Sequence, residues 1–174
     1  VLFIIDDSHG IGITGVNGSG IGSILKLPKM IVSSLNKALG IAAGVIAGEE
    51  VYINRLFQIG LFSGASPMAP MYAYALVKML ENNWYPQRYG VLQKRLTLVA
   101  EKGLFASKSW TSINHYPAFC SYRKDIHQVL LQRGIITSCF AYPTVHDAPV
   151  VRLVVNAAHT EEDIEVLLTA LENY

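Results

Sequence analysis

Three residues have types that can do chemistry together: Asp6, His9 and Lys37. Asp6 follows the apolar run "VLFII", and His9 comes three residues later. A carboxylate at the end of a buried strand can be a solvated turn, half of a metal-binding pair with Asp7, or an acid held dry to pair with the cationic group of a cofactor. Lys37 lies in "SSLNKALG", between two apolar runs, with Ser33 and Ser34 just before it. A lysine in such surroundings snorkels, pairs or reacts, and burial would lower its pKa as carbonyl chemistry requires. Taken singly, Asp6 and His9 read as a solvated turn and Lys37 as a surface lysine on a loop.

The glycines after His9 offer a rival chemistry. Gly10, Gly12 and Gly15 spell G-x-G-x-x-G, the letters of a dinucleotide cradle. That cradle needs its first glycine at the strand end and a helix opening at its last. Here four polar residues intervene, and "VNGSGIGS" after Gly15 cannot propagate a helix. No Asp or Glu occurs between Asp7 and Glu49 to hold a ribose. No G-x-x-x-x-G-K-[ST] is present, which removes a P-loop and weakens a metal role for the acid pair.

These residues need elements to position them. Val1–Ile5 reads as a strand buried on both faces, and residues 10–23, dense in glycine, as a loop. Met30–Ser33 and Ala43–Ala47 read as two strands around the Lys37 loop. "FSGASP" is another loop. Pro67 then opens a helix reaching Asn82, with Ala69, Tyr72, Ala73, Leu76, Val77 and Leu80 on one stripe. A second helix runs from Pro86 to Lys102. Shorter units follow: strand 115–121, helix 123–133, strands 135–140 and 150–156, and helix 161–173. Thr160 and Asp163 form a capping box for the last helix, and Ile164, Leu167, Leu168 and Leu171 line one face. The order predicts an α/β protein: the end of a larger domain over 1–75, a connecting helical region over 76–107 and a small α/β domain over 108–174.

The 174 residues are 51% hydrophobic with a net charge of +1, which gives no electrostatic case for nucleic acid or an acidic membrane. The longest weakly polar stretch, Ala38–Gly48, is too short to span a bilayer. Cys120 and Cys139 match no metal spacing and read as buried thiols of a reducing compartment, the cytoplasm. The chain opens at Val1 without a methionine, already strand-like, which predicts a fragment or a processed chain.

Taken together, the segments resemble the α-oxoamine synthase family of fold-type I pyridoxal-phosphate enzymes. "DDSHGIGITGVNGSG" is similar to the family's "DEAHGxGxxGxxGxG", and "SLNKALG" to its "T-[LF]-[SG]-K-[AS]-[LF]-G". "FSGASPM", "YPTV" at 142–145 and "VRLVVNAAHTEEDI" at 151–164 match later family segments in the right order. The resemblance covers the whole chain and the C-terminal half of a typical member. Asp7 and Ser8 stand where Glu-Ala is usual, Asn36 replaces Ser or Gly, and Gly64 replaces a frequent hydroxyl.

The resemblance implies the aspartate aminotransferase-like fold, with pyridoxal 5'-phosphate as cofactor and an amino acid and an acyl-CoA as substrates. It implies that Asp6 pairs with the pyridine nitrogen, His9 sits by the phenolic oxygen, and Lys37 binds the cofactor and moves the α-proton. Ser34 would contact the phosphate, Ser63 the phosphate of a neighbouring subunit in a homodimer, and Arg152 the substrate carboxylate. A strand-edge solvated charge is the competing reading of Arg152, and a helix-start role competes for His159. His115, His127 and His146 default to surface or packing roles. An aminotransferase or lyase of the same fold, or an inactive piece needing a companion N-terminal half, are the alternative functions.

Overall fold

The computed structural model describes residues 1–102 and 109–172. The chain forms two compact units, Val1–Tyr89 and Gly90–Tyr174. The segment boundary expected at 107/108 lies outside the described residues.

The first unit is built on a three-stranded sheet of order β1-β2-β3, with β1 (Phe3–Asp6) parallel to β2 (Lys29–Ser34), and β2 antiparallel to β3 (Gly44–Gly48). The two strands around the Lys37 loop are therefore present, as a hairpin. Between β1 and β2 the glycine loop makes turns and two short 3-10 segments, Val16–Gly18 and Ile21–Ser23, so no α-helix opens after Gly15. β1 departs from expectation in its burial: it pairs along one edge only, with Phe3 48% and Ile4 71% exposed. Helices α1 (Glu50–Leu56), α2 (Gly60–Ser63) and α3 (Pro70–Glu81) follow. The first two carry no signal that the sequence reading used.

α3 begins at Pro70 rather than Pro67. Ala69 is extended, at φ −60° and ψ 137°, because the residue before a proline is pushed out of the helical region. Pro70 itself takes the first helical position, where its missing N–H costs nothing. The expected apolar stripe is not buried, since no α3 residue is, and Val77 and Leu80 lie exposed. α4 (Trp84–Glu101) starts two residues before the expected Pro86 and buries Leu92, Leu96 and Val99.

The second unit holds a four-stranded antiparallel sheet of order β4-β5-β7-β6: β4 (Thr111–Ser112), β5 (Ala118–Ser121), β7 (Pro149–Val154) and β6 (Ser138–Ala141). α5 (Lys124–Gln132) packs on β6 and β7 and against α6 (Glu161–Leu171). Ile126, Leu130, Val151, Val155 and Ile164 are almost wholly buried there. Past the end of α5, after Arg133, comes Gly134, whose φ of +76° is open to glycine without strain. Gly134 N–H then reaches the Leu131 carbonyl and Ile135 N–H the Leu130 carbonyl. α6 has the expected capping box: Thr160 Oγ1 accepts from Asp163 N–H at 3.1 Å, and Asp163 Oδ2 accepts from Thr160 N–H at 2.7 Å. The cysteines are free and half-buried rather than buried.

Candidate active site

β1 and β2 are parallel, so their carboxyl ends, Asp6 and Ser34, lie on one side of the sheet, where open α/β sheets bind ligands. The chain turns sharply after Asp6. Ser8 N–H donates to Asp6 Oδ1 at 2.9 Å, an Asx turn that fixes the carboxylate at the strand end. This turn and the hairpin loop after Ser34 bring His9 and Lys37 together: His9 Nε2 and Lys37 Nζ are 2.9 Å apart across 28 residues of sequence. Asp6, His9 and Lys37 are all exposed, so Lys37 is not the buried lysine that its apolar flanks suggested.

Hydrogen bonds from the Ser8 hydroxyl and N–H hold the Asp6 carboxyl below its ordinary value. Partial desolvation opposes them, and the charges of Lys37 and His9 add to them. The site thus offers a firmly anionic carboxylate, an imidazole, a primary amine and, at the end of β2, the Ser34 side chain.

Nothing in the sequence assigns Ser8 a role, and Asp7 enters only as half of a metal-binding pair. Ser8 is 7% exposed, and its Oγ accepts from Ser34 N–H at 2.8 Å, joining the acid turn to the lysine strand. Asp7 is 4% exposed and turned into the glycine loop, where a Cβ at Gly10 or Gly20 would overlap its carboxylate. These glycines are therefore needed for close approach to Asp7. The sequence signal for Ser8 was its departure from the family's usual alanine.

Ser63 ends α2, and its hydroxyl donates to the carbonyls of Phe57 and Ile59 at 3.4 and 3.5 Å. A cleft in the same unit is lined by Ala42, Ala43, Phe62, Pro67, Met68 and Tyr72, among other small and apolar residues.

In the second unit, Arg152 sits on β7, an inner strand, which argues against a strand-edge charge. Val151, Leu153 and Val155 are buried while Arg152, between them, is half-exposed. Its guanidinium carbon lies 5.0 Å from the Phe140 ring centre and 4.3 Å from that of Tyr142. Among the described residues no carboxylate pairs with it. His159 Nδ1 accepts from Asn156 N–H, and its carbonyl accepts from Arg95, so it serves the turn into α6. His127 bonds Thr137 at 2.7 Å in a packing role.

The sequence matches the family model described as Aminotransferase class I and II over residues 1–171. It is 32% identical over 182 residues to the 8-amino-7-oxononanoate synthase of Pseudomonas fluorescens strain Pf-5, covering 97% of this chain and 46% of that protein. It is 33% identical over 186 residues to the enzyme of the same name from Symbiobacterium thermophilum, covering 95% and 45%. The chain thus spans about half the length of the curated relatives it matches. Among solved structures, 8-amino-7-oxononanoate synthase from Francisella tularensis superposes with a TM-score of 0.74 at 24% identity, over 97% of this chain and 53% of that one. Serine palmitoyltransferase of Sphingomonas wittichii gives 0.76 at 17%, over 97% and 46%. These likenesses show a shared fold.

Proposed function

The chain belongs to the aminotransferase class I and II family, and from that premise we propose that it carries the lysine half of a pyridoxal 5'-phosphate enzyme that condenses a small amino acid with an acyl-CoA, as an 8-amino-7-oxononanoate synthase-like acyltransferase. The observation that carries the reading is the 2.9 Å approach of Lys37 to His9, beside Asp6, at the carboxyl ends of parallel strands. The donor set fits the cofactor: an amine for its aldehyde, a carboxylate for its pyridine nitrogen, an imidazole for its phenolic oxygen and hydroxyls for its phosphate. When bound, pyridoxal phosphate supplies the electron sink that makes an α-proton removable.

The chain's residues then have separate tasks. Asp6, held anionic by Ser8, keeps a proton on the ring nitrogen. His9 orients the phenolic oxygen and the Lys37 amine. Lys37 would hold the cofactor through its amine, and the same amine is placed to take and return the α-proton of the substrate. Ser34 holds phosphate within the subunit. Ser63 does so for a neighbouring subunit, in a homodimer whose sites lie at the interface. Arg152 binds the substrate carboxylate through its planar fork, already backed by two aromatic rings. The apolar cleft suits an acyl chain.

Relatives carry roughly as much chain again, and in that setting the ring face and the remaining phosphate contacts come from residues outside this sequence. With two free cysteines, and no helix among the described residues long and apolar enough to cross a membrane, the cytoplasm is the proposed compartment.

Borohydride reduction of the full-length holoprotein, followed by peptide mapping, tests the core of this reading. The pyridoxyl group is expected on Lys37, and a label on any other lysine overturns it. The family model's own description favours transamination as a second reading. Release of CoA with glycine, alanine or serine as co-substrate separates the two, since an aminotransferase would instead yield a keto acid.

A further inference from the structure

We propose that Ser8 is a positioning residue for the cofactor site, clamping the Asp6 turn to the Ser34 end of the lysine strand. The inference rests on the pyridoxal-phosphate reading above and concerns how this chain meets that group. Two bonds define the clamp. Ser8 N–H donates to Asp6 Oδ1 at 2.9 Å, and Ser8 Oγ accepts from Ser34 N–H at 2.8 Å, 26 residues along the chain.

An oxygen that accepts from Ser34 still has its own hydrogen to give, and the Ser8 hydroxyl acts with the Ser8 N–H to lower the Asp6 carboxyl. Ser8 is 7% exposed, so these bonds compete little with water. They are the leading reasons that Asp6 stays below the usual carboxylate range, ahead of Lys37 and His9, the other charged groups acting on it. Asp7 makes no such contribution, because its carboxylate is turned into the glycine loop.

The position has a consequence at both ends. Asp6 is the group assigned to the ring nitrogen, and Ser34 the group assigned to the phosphate. A hydroxyl between them fixes the spacing of two anchors for one rigid ligand. With alanine at this position, the fold can keep the Asx turn, whose donor is a backbone N–H, but loses the hydroxyl. Asp6 then loses a hydrogen bond to its charged form, and Ser34 N–H loses its acceptor.

The test compares wild type, Ser8→Ala and Ser8→Thr in the full-length holoprotein, with pyridoxal phosphate labelled with 15N at the ring nitrogen. The nitrogen's chemical shift, followed against pH, reports where it loses its proton. In Ser8→Ala that midpoint is expected to rise by about half to one unit, because a carboxylate with one donor fewer is the stronger base toward the ring proton. The cofactor is expected to bind about three- to tenfold less tightly, the scale of one charge-assisted bond, because its two anchors are no longer tied together. Ser8→Thr keeps the hydroxyl and is expected to track wild type on both readouts.

A Ser8→Ala protein with an unmoved nitrogen midpoint overturns the proposal, even if its thermal midpoint drops, because that pattern belongs to packing alone. Threonine and alanine behaving alike overturns it as well. Borohydride labelling of wild type runs alongside: a wild-type protein without pyridoxyl on Lys37 removes the underlying reading and this proposal with it. A labelled wild type with an unresponsive Ser8→Ala removes the clamp only.

Discussion

In the proposed function Lys37 and Arg152 have opposite needs: the lysine must give up a proton to meet a carbonyl, and the arginine must keep its own to hold a carboxylate. Lys37 is exposed and touches the His9 imidazole, an arrangement in which a proton can be shared and passed on. Arg152 never gives up its proton, so its neighbours are chosen for shape: the guanidinium lies over the Phe140 and Tyr142 rings. The two predicted failures therefore differ. Lys37→Ala in the full-length protein should lose at least about 10³-fold in turnover, the scale of a covalent and acid–base role, with an unchanged circular dichroism spectrum. Arg152→Lys keeps the charge but loses the fork and the stacking. Steady-state kinetics should show KM for the amino acid raised about tenfold with kcat less affected. A kcat loss at unchanged KM would assign Arg152 to something other than carboxylate binding.

At the scale of elements, α6 was legible in the sequence because everything that makes it is local. Thr160, Asp163 and the stripe Ile164, Leu167, Leu168 and Leu171 lie within twelve positions, and cap and burial both appear as written. Thr160→Ala should cost about 1 kcal/mol of unfolding free energy, with Thr160→Ser close to wild type in denaturant titration. Asp163 adds a pH dependence. Its carboxyl is held below the ordinary range, first by Thr160 N–H and then by the Thr160 hydroxyl. A lowered folded pKa stabilises the fold above the unfolded value of about 3.9 and ceases to do so as pH falls through the folded one. The stability gap between wild type and Asp163→Ala should accordingly be widest near neutrality and close below about pH 4. α3 shows the opposite case. Its stripe could be read, but whether anything covers a stripe is not a local property, and here Val77 and Leu80 stay exposed. Ser8 was illegible for a related reason: its partner Ser34 is 26 residues away, and only folding brings an N–H to that hydroxyl.

At the scale of the whole molecule, the first unit carries apolar surface that its own elements do not hide. Phe3, Ile4, Leu61, Met71, Tyr74 and Leu80 are all between 48% and 88% exposed. Exposed apolar area of this extent is the kind that folds against more protein. The matched relatives are about twice as long as this chain. In the proposed function Asp6, His9, Ser34 and Lys37 would provide one edge of a cofactor site, with one hydroxyl for the phosphate from within the subunit and nothing assigned to the ring face. Two missing charge-assisted phosphate contacts would alone weaken binding about a hundredfold. We therefore expect the 174 residues by themselves to bind pyridoxal phosphate at least about a hundredfold more weakly than a protein of the relatives' length carrying them. Absorbance titration of both would measure this, and supplying the preceding half as a second polypeptide should restore the tight binding. Equal affinity of the isolated chain and the longer protein would mean that the described residues already form a complete site, and that the exposed apolar faces have some other partner.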